Sequence, residues 1–473
     1  MLQRCAAMVF AVIATNVLAN ELLPYPARYT ERQLAGDLGM VEGALREMHP
    51  DLERGASYAA FESAIRFASG ELGKTSTETG FLVALSRMVF LIGNGHTEIR
   101  LSEAAERFYD HQPMYLGFEF RHTDSHTYIS RDYYGADDRL VGREVAAING
   151  TPAERIRSLM AGFVSGDGAI DTGRLHKMGD PVLFSRWWRR LWRPATEFEV
   201  RFVGDDEALT FDGLTRHQLE TRRQQRDSRP NCPPSVWSEA YRTAIVYRCQ
   251  LSTETATQQI AEWFDAIVSE DTTSVILDLR GDASVSPSNA VEVIRHLVDH
   301  EAVLYENAFV NRPSFDYGVH ASGDPVIYPS DQLVAVGNER FSLTEGIYPF
   351  LVSFTPAKKV FAGRLILLID GSTNGVASDL ASRLHQERSV TVLGEESGGA
   401  YHGKTSMARQ TLVLPHTKMR LTIPLERFDA SYSYVAEVGR GVMPNETVVP
   451  TGDDIAQRRD PVLARALELA QTP

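Results

Sequence analysis

From Thr30 the chain sets apolar residues at helical spacing. Leu34, Leu38, Val41, Leu45 and Met48 fall on one face, Thr30 and Gln33 form a capping box ahead of them, and Pro50 ends the run. A second helix is predicted from Tyr58 to Leu72. A third is predicted to start at Thr75, capped with Glu78. It runs through Phe81, Leu82, Leu85, Met88 and Val89 and stops at Gly93-Asn94-Gly95, just before His96-Thr97. Together these predict a small helical domain over residues 20–110. Between about Pro113 and Gly213 the pattern shortens to strands and turns. Within it, Gly142 to Thr151 reads as a strand leading into a tight Asn149-Gly150 turn. Asp180-Pro181 predicts a helix start, the Asp as cap and the Pro at the first helical position. Phe184, Trp187, Trp188, Leu191 and Trp192 then form one stripe, flanked by Arg186, Arg189, Arg190 and Arg193. A stripe of this kind faces a core more often than a membrane or a peptide, and the arginine stems cover its edges.

The second half alternates differently. Ser274 to Leu279 and Leu365 to Ile369 are short, continuous apolar runs, the pattern of parallel strands buried on both faces. A loop and a helix follow each, at Asn289 to His300 and at Val376 to His385. This predicts an α/β domain with a mainly parallel sheet over residues 235–473. In such sheets chemistry gathers at the carboxyl ends of strands, here the loops Arg280 to Ser288 and Asp370 to Gly375.

Composition narrows the classes. The chain has 473 residues, enough for two or three cores, and a formal net charge of −14. With no basic surplus to neutralise phosphates, the charge argues against a nucleic-acid binder. Arg4, the mostly apolar run Cys5 to Leu18 and Val17-Leu18-Ala19 read as an export signal over residues 1–19, too short for a membrane span. No later run is long and apolar enough to span one. The mature chain is therefore expected to begin near Asn20, in the periplasm or outside the cell. An oxidising compartment would permit a disulfide between Cys232 and Cys249, with two separate thiols as the alternative. No metal-ligand cluster is present, and His122 and His126 are expected in a solvated loop. No cofactor is implied.

Six segments in order carry a resemblance: Leu45 to Pro50 ending in His49-Pro50, Gly95-His96-Thr97, Gly142 to Thr151, Leu277-Asp278-Leu279-Arg280, Gly394-Glu395-Glu396-Ser397-Gly398-Gly399, and Gly441-Val442-Met443-Pro444. From about Asp37 to Pro461 the chain resembles the tail-specific, or C-terminal-processing, serine peptidases. It is nearest to the branch with tricorn-type and retinoid-binding-protein-like members. The resemblance implies a ClpP/crotonase-like α/β domain, a PDZ-like β-rich domain over residues 113–213, and peptide or protein C-termini as partners.

It also implies site residues. In the family a serine at a helix start attacks the peptide carbonyl, a histidine of the helical domain acts as base, and backbone N–H groups hold the oxyanion. His96 matches the base. A gapless match of Leu368 to Leu384 puts Thr373 at the first hydroxyl position and Gly375 at the nucleophile position, with Asp379 in the first helical turn. Glycine cannot attack. Gly281, Asp282 and Val376 stand at the oxyanion positions, but Ala283 and Ser284 replace the family's glycines. Ala400 lies near the family's lysine position, and Glu437 is one residue out of register for the acid that orients the base. Two readings stay open: a working peptidase that uses Ser372, Thr373 or Ser378, or a pseudopeptidase that keeps the fold and binds peptides. A retinoid- or lipid-binding protein is a third, resting on fold analogy alone.

Overall fold

The computed structural model describes residues 27–471 apart from 53–57, 136, 227–231, 233–235, 239–241, 253–255, 270–271, 282–283, 338–339, 404–406 and 431–436. The export-signal residues Arg4 to Ala19 and the loop residues Asp282 and Ala283 lie outside the described residues.

The first helix, Glu31–Met48, carries the expected capping box between Thr30 and Gln33 and buries Leu34, Leu38, Val41, Leu45 and Met48. The second spans Tyr58–Glu71. The third, Glu78–Ile92, starts later than expected. Thr77, not Thr75, is its cap, because the Thr77 hydroxyl accepts the Gly80 N–H. Gly93 ends it at φ +65°, the left-handed conformation that closes helices on glycine.

Three amphipathic helices leave an apolar face to cover, and the cover comes from the far end of the chain. The hairpin Arg409–Val413 and Arg420–Pro424 joins strand Glu98–Arg100 in a three-stranded antiparallel sheet. Its Leu412, Leu414, Met419, Leu421 and Ile423 share one core with the helices. The buried Asp37 carboxylate ties the two together, accepting the N–H groups of His416 (2.9 Å) and Thr417 (2.8 Å) and the Thr417 hydroxyl (2.6 Å). The helical unit is therefore discontinuous in sequence, unlike the contiguous residues 20–110 expected.

The middle segment is more helical than its pattern suggested. A two-stranded and a four-stranded antiparallel sheet are packed by helices Ala153–Ala161, Asp171–Met178 and Pro181–Leu191. The Asn149-Gly150 turn forms as read, both residues at positive φ. Asp180 caps the last helix by accepting the Val182 and Leu183 N–H groups, both at 2.9 Å. Trp187 and Trp188 are buried with Phe118, Phe120, Phe184 and Phe198, so the stripe does face a core. His122 is not in a solvated loop. It lies buried on strand Phe118–His122, bonded to the Thr127 hydroxyl (3.0 Å), while His126 is exposed beside Glu144.

The α/β unit carries a six-stranded sheet. In spatial order its strands are Glu446–Thr447, Thr391–Gly394, Arg364–Ile369, Ser274–Asp278, Thr243–Tyr247 and Val236–Ser238, parallel except for the last pair. The unbroken apolar runs are explained by cover on both faces. Val275, Leu277, Leu365 and Leu367 share a core with helices Ala256–Ser269, Pro287–Leu297 and Val376–Glu387. Ile276, Ile366 and Leu368 pack on Val462, Ala466 and Ala470 of the C-terminal helix Pro461–Gln471. Cys232 and Cys249 form a disulfide.

Candidate functional site

The two central strands, Ser274–Asp278 and Arg364–Ile369, end side by side, and the loops that follow them interlock. The Thr373 hydroxyl donates to the Leu279 carbonyl (3.1 Å) and accepts the Asp370 N–H (3.1 Å). The Ser372 hydroxyl donates to the Asp370 carboxylate and accepts the Gly281 N–H at 2.6 Å. Both hydroxyl residues are fully buried. From below, the Arg248 guanidinium donates to the carbonyls of Gly281, Leu279 (3.4 Å) and Ser372 (2.6 Å), and reaches that of Asn374 at 3.5 Å. Arg248 adjoins Cys249, so the disulfide anchors the turn that presents it.

Gly375 follows, at φ +57° and ψ −135°, and caps helix Val376–Glu387. L-residues avoid that conformation and glycine adopts it freely. A Cβ built on Gly375 would meet no atom within 4 Å, so the space above it is open. The helix N-terminus stands behind it, its first-turn Asp379 buried and accepting the Tyr305 hydroxyl at 2.6 Å. Ser378 points back, its hydroxyl donating to the Gly375 carbonyl at 2.8 Å. Gly398 is fixed by crowding, since a Cβ there would lie 2.1 Å from the Gly371 carbonyl oxygen. The Gly394-to-Gly399 segment also joins the Gly441 segment: Glu396 accepts the Gly441 N–H (2.8 Å), and Ser397 exchanges bonds with Val442.

His96 sits on the helical unit, in a turn held by the Asn94 side chain, which accepts the N–H groups of His96 (2.9 Å) and Thr97 (3.2 Å). Behind it, buried His49 accepts the Asp51 N–H on Nδ1 (3.1 Å), which leaves Nε2 protonated and donating to the Thr97 hydroxyl (3.0 Å). Burial, with His96 nearby, lowers the His49 pKa to about 3, so the ring is neutral. His96 lines a cavity of about 230 Å³, whose walls include Glu98, Lys177, Arg190 and Arg409 but neither Gly375 nor Val376.

Helix Asp171–Met178 bridges the two places, and the sequence reading missed it. Gly371 packs against Thr172 and His176 on one side. On the other, the Lys177 ammonium donates to the carbonyls of Ser165 (3.0 Å) and Gly95 (3.4 Å), beside His96. Burial pulls the Lys177 pKa below its usual range. Lys177 also lines a second cavity of about 550 Å³, with Arg121, His176, Arg280, Asp370 and Glu395 in its wall. Asp171 in the first turn and His176-Lys177 in the last were the local signals that could have marked this helix. Glu437 is exposed, and its carboxylate makes no hydrogen bond or ion pair among the described residues. Its loop nonetheless reaches the His96 side, through Ala169 N–H to the Gly439 carbonyl (2.9 Å) and Gly168 N–H to the Gly93 carbonyl (2.8 Å). No cluster of three or more potential metal ligands occurs among the described residues, and no described helix is long and apolar enough to cross a membrane.

Residues 245–445 match the family model of peptidase family S41. Comparison with curated proteins returns no match. Among solved structures, a CPAF mutant is similar with a TM-score of 0.65 at 10% identity, over 93% of this chain and 97% of that one. Mature CPAF is similar with a TM-score of 0.59 at 12% identity, over 93% and 97%. At these identities the likeness is one of fold.

Proposed function

We propose that this chain, whose residues 245–445 match peptidase family S41, is an exported peptide-binding relative of the tail-specific proteases with little or no proteolytic activity. Gly375 carries this reading. It stands at the start of the helix after the second central strand, where the family's serine is expected, and it has no atom with which to attack a carbonyl. The neighbouring groups point the same way. The Gly281 N–H, an oxyanion candidate, is engaged by Ser372 at 2.6 Å. Ser372 and Thr373, the alternative nucleophiles, are buried and bonded to the loops around them. Their burial favours a structural role over the working-peptidase reading. Export is proposed from the Arg4-to-Ala19 segment, and capture of peptide C-termini from the likeness of residues 113–213 to a PDZ module, which adds a strand to a sheet edge.

The test is to expose the purified mature chain to a fluorophosphonate probe and to an unstructured protein substrate, then titrate it with labelled peptides. The expected result is no labelling and no cleavage, with saturable peptide binding. Cleavage lost on Ser372→Ala or Thr373→Ala would show an active enzyme with a displaced nucleophile.

A further inference from the structure

Lys177, Arg190 and Arg409 meet at the cavity beside His96, and each arrives from a different element. Lys177 ends helix Asp171–Met178, Arg190 lies on Pro181–Leu191, and Arg409 begins the hairpin that completes the helical unit. Two acids share the wall, and both are committed. Glu98 pairs with Arg100 at 2.7 Å. Glu106 pairs with Arg420 at 2.5 Å and lies 3.9 Å from Arg186. Among the described residues no carboxylate lies within ion-pair distance of Lys177, Arg190 or Arg409. Arg190 stacks over Trp187 instead, 4.9 Å from the ring centroid. Burial, with Arg189 and Arg186 close by, lowers the Arg190 pKa, and burial lowers that of Lys177. Burying Lys177 and Arg190 is costly, the more so for Arg190 beside Arg186 and Arg189, and Asp167, Glu98 and Glu106 offset the cost only in part. That a chain of net charge −14 sets these two and the exposed Arg409 around one cavity calls for an anion to complete it.

Resting on the reading of the chain as a peptide binder, we infer that this cavity is a subsite for an acidic side chain, aspartate or glutamate, of the bound peptide. Its volume of about 230 Å³ is below that of typical small-molecule sites, roughly 300–1,000 Å³, and suits one side chain. Two guanidinium forks and an ammonium match the bonding needs of a carboxylate. His96 lines the same cavity, so the acid is read beside the histidine and selects which peptides the chain holds.

Fluorescence-anisotropy titration of the full chain tests this, with peptides bearing Glu or Gln at successive positions, each prepared with a free and with an amidated C-terminus. At the preferred position Glu is expected to bind at least about tenfold more tightly than Gln, with the difference shrinking as salt rises. Lys177→Met and Arg409→Gln should each reduce the preference, and together remove it. Arg409 is exposed, so its variant is expected to fold even if the Lys177 variant does not. Equal binding of Glu and Gln peptides overturns the subsite and leaves peptide binding intact. Failure of every peptide to bind, acidic or neutral, free or amidated, overturns both the subsite and the reading on which it rests.

Discussion

Gly375 combines a backbone conformation that disfavours any side chain with open space where one would go. Gly375→Ser should therefore fold without a clash but lose on the order of 1–3 kcal/mol to backbone strain. It should label weakly with a fluorophosphonate, because the Gly281 N–H is engaged by Ser372. Adding Ser372→Ala frees that N–H and should raise the labelling. If neither variant labels, residue 375 is not the nucleophile position and the gapless match fails. His49 offers a separate test. Its folded pKa of about 3 lies below the usual 6.5, so the unfolded chain takes up the proton first as pH falls. This contribution to stability is complete above about pH 6.5 and shrinks toward pH 3, by about 2 kcal/mol at pH 5. Denaturant titrations of wild type and His49→Gln at pH 7 and 5 should differ by that amount, and parallel curves would contradict it. At this scale the sequence showed Gly95-His96-Thr97 and the glycine at 375. It could not show Lys177, Arg190 and Arg409 converging on His96, since no spacing encodes contact between segments this far apart.

Among the elements, those whose periodicity is self-sufficient were legible: the capped first helix, the helix opened by Asp180-Pro181, the Asn149-Gly150 turn and the two buried strands. The bridging helix Asp171–Met178 was not, because its eight residues offer little apolar periodicity and Gly173 interrupts them. The third helix began at Thr77 because two threonines two residues apart both suit a cap, and geometry chose the one facing the Gly80 N–H. The join between the first helix and the hairpin rests on Asp37, whose buried carboxylate holds three donors of His416 and Thr417. Asp37→Ala leaves those donors without their acceptor and should cost about 2–4 kcal/mol in chemical denaturation. It should also speed amide exchange in residues 409–424 before the sheet of the α/β unit is affected. A loss under about 0.5 kcal/mol would mean that the apolar contacts alone hold the hairpin.

For the whole molecule, that hairpin decides how the units depend on one another. It leaves the α/β unit after the Gly394-to-Gly399 segment, crosses to cover the helices, and returns to strand Glu426–Asp429, which pairs with Asn307–Val310. The helical unit thus carries His96 but lacks its own lid, and the lid carries Arg409, a wall of the cavity beside His96. Residues 27–110 alone would leave Leu34, Leu45, Phe81, Leu85 and Ile92 without the apolar side of the hairpin. A segment of that size has little core to spare. Expressed alone, it should show at most weak helical circular dichroism and a tendency to aggregate. Addition in trans of a peptide covering residues 407–426 should raise its helicity and solubility, and Leu412→Asp with Leu421→Asp in that peptide should cancel the gain. In the intact chain the same dependence predicts one cooperative thermal transition, seen alike by Trp fluorescence, from Trp187, Trp188 and Trp192 of the middle unit and Trp237 and Trp263 of the α/β unit, and by far-UV circular dichroism. A helical fragment that folds unaided with a sharp transition would show the hairpin to be an accessory strap, and His96 would then belong to an independent domain.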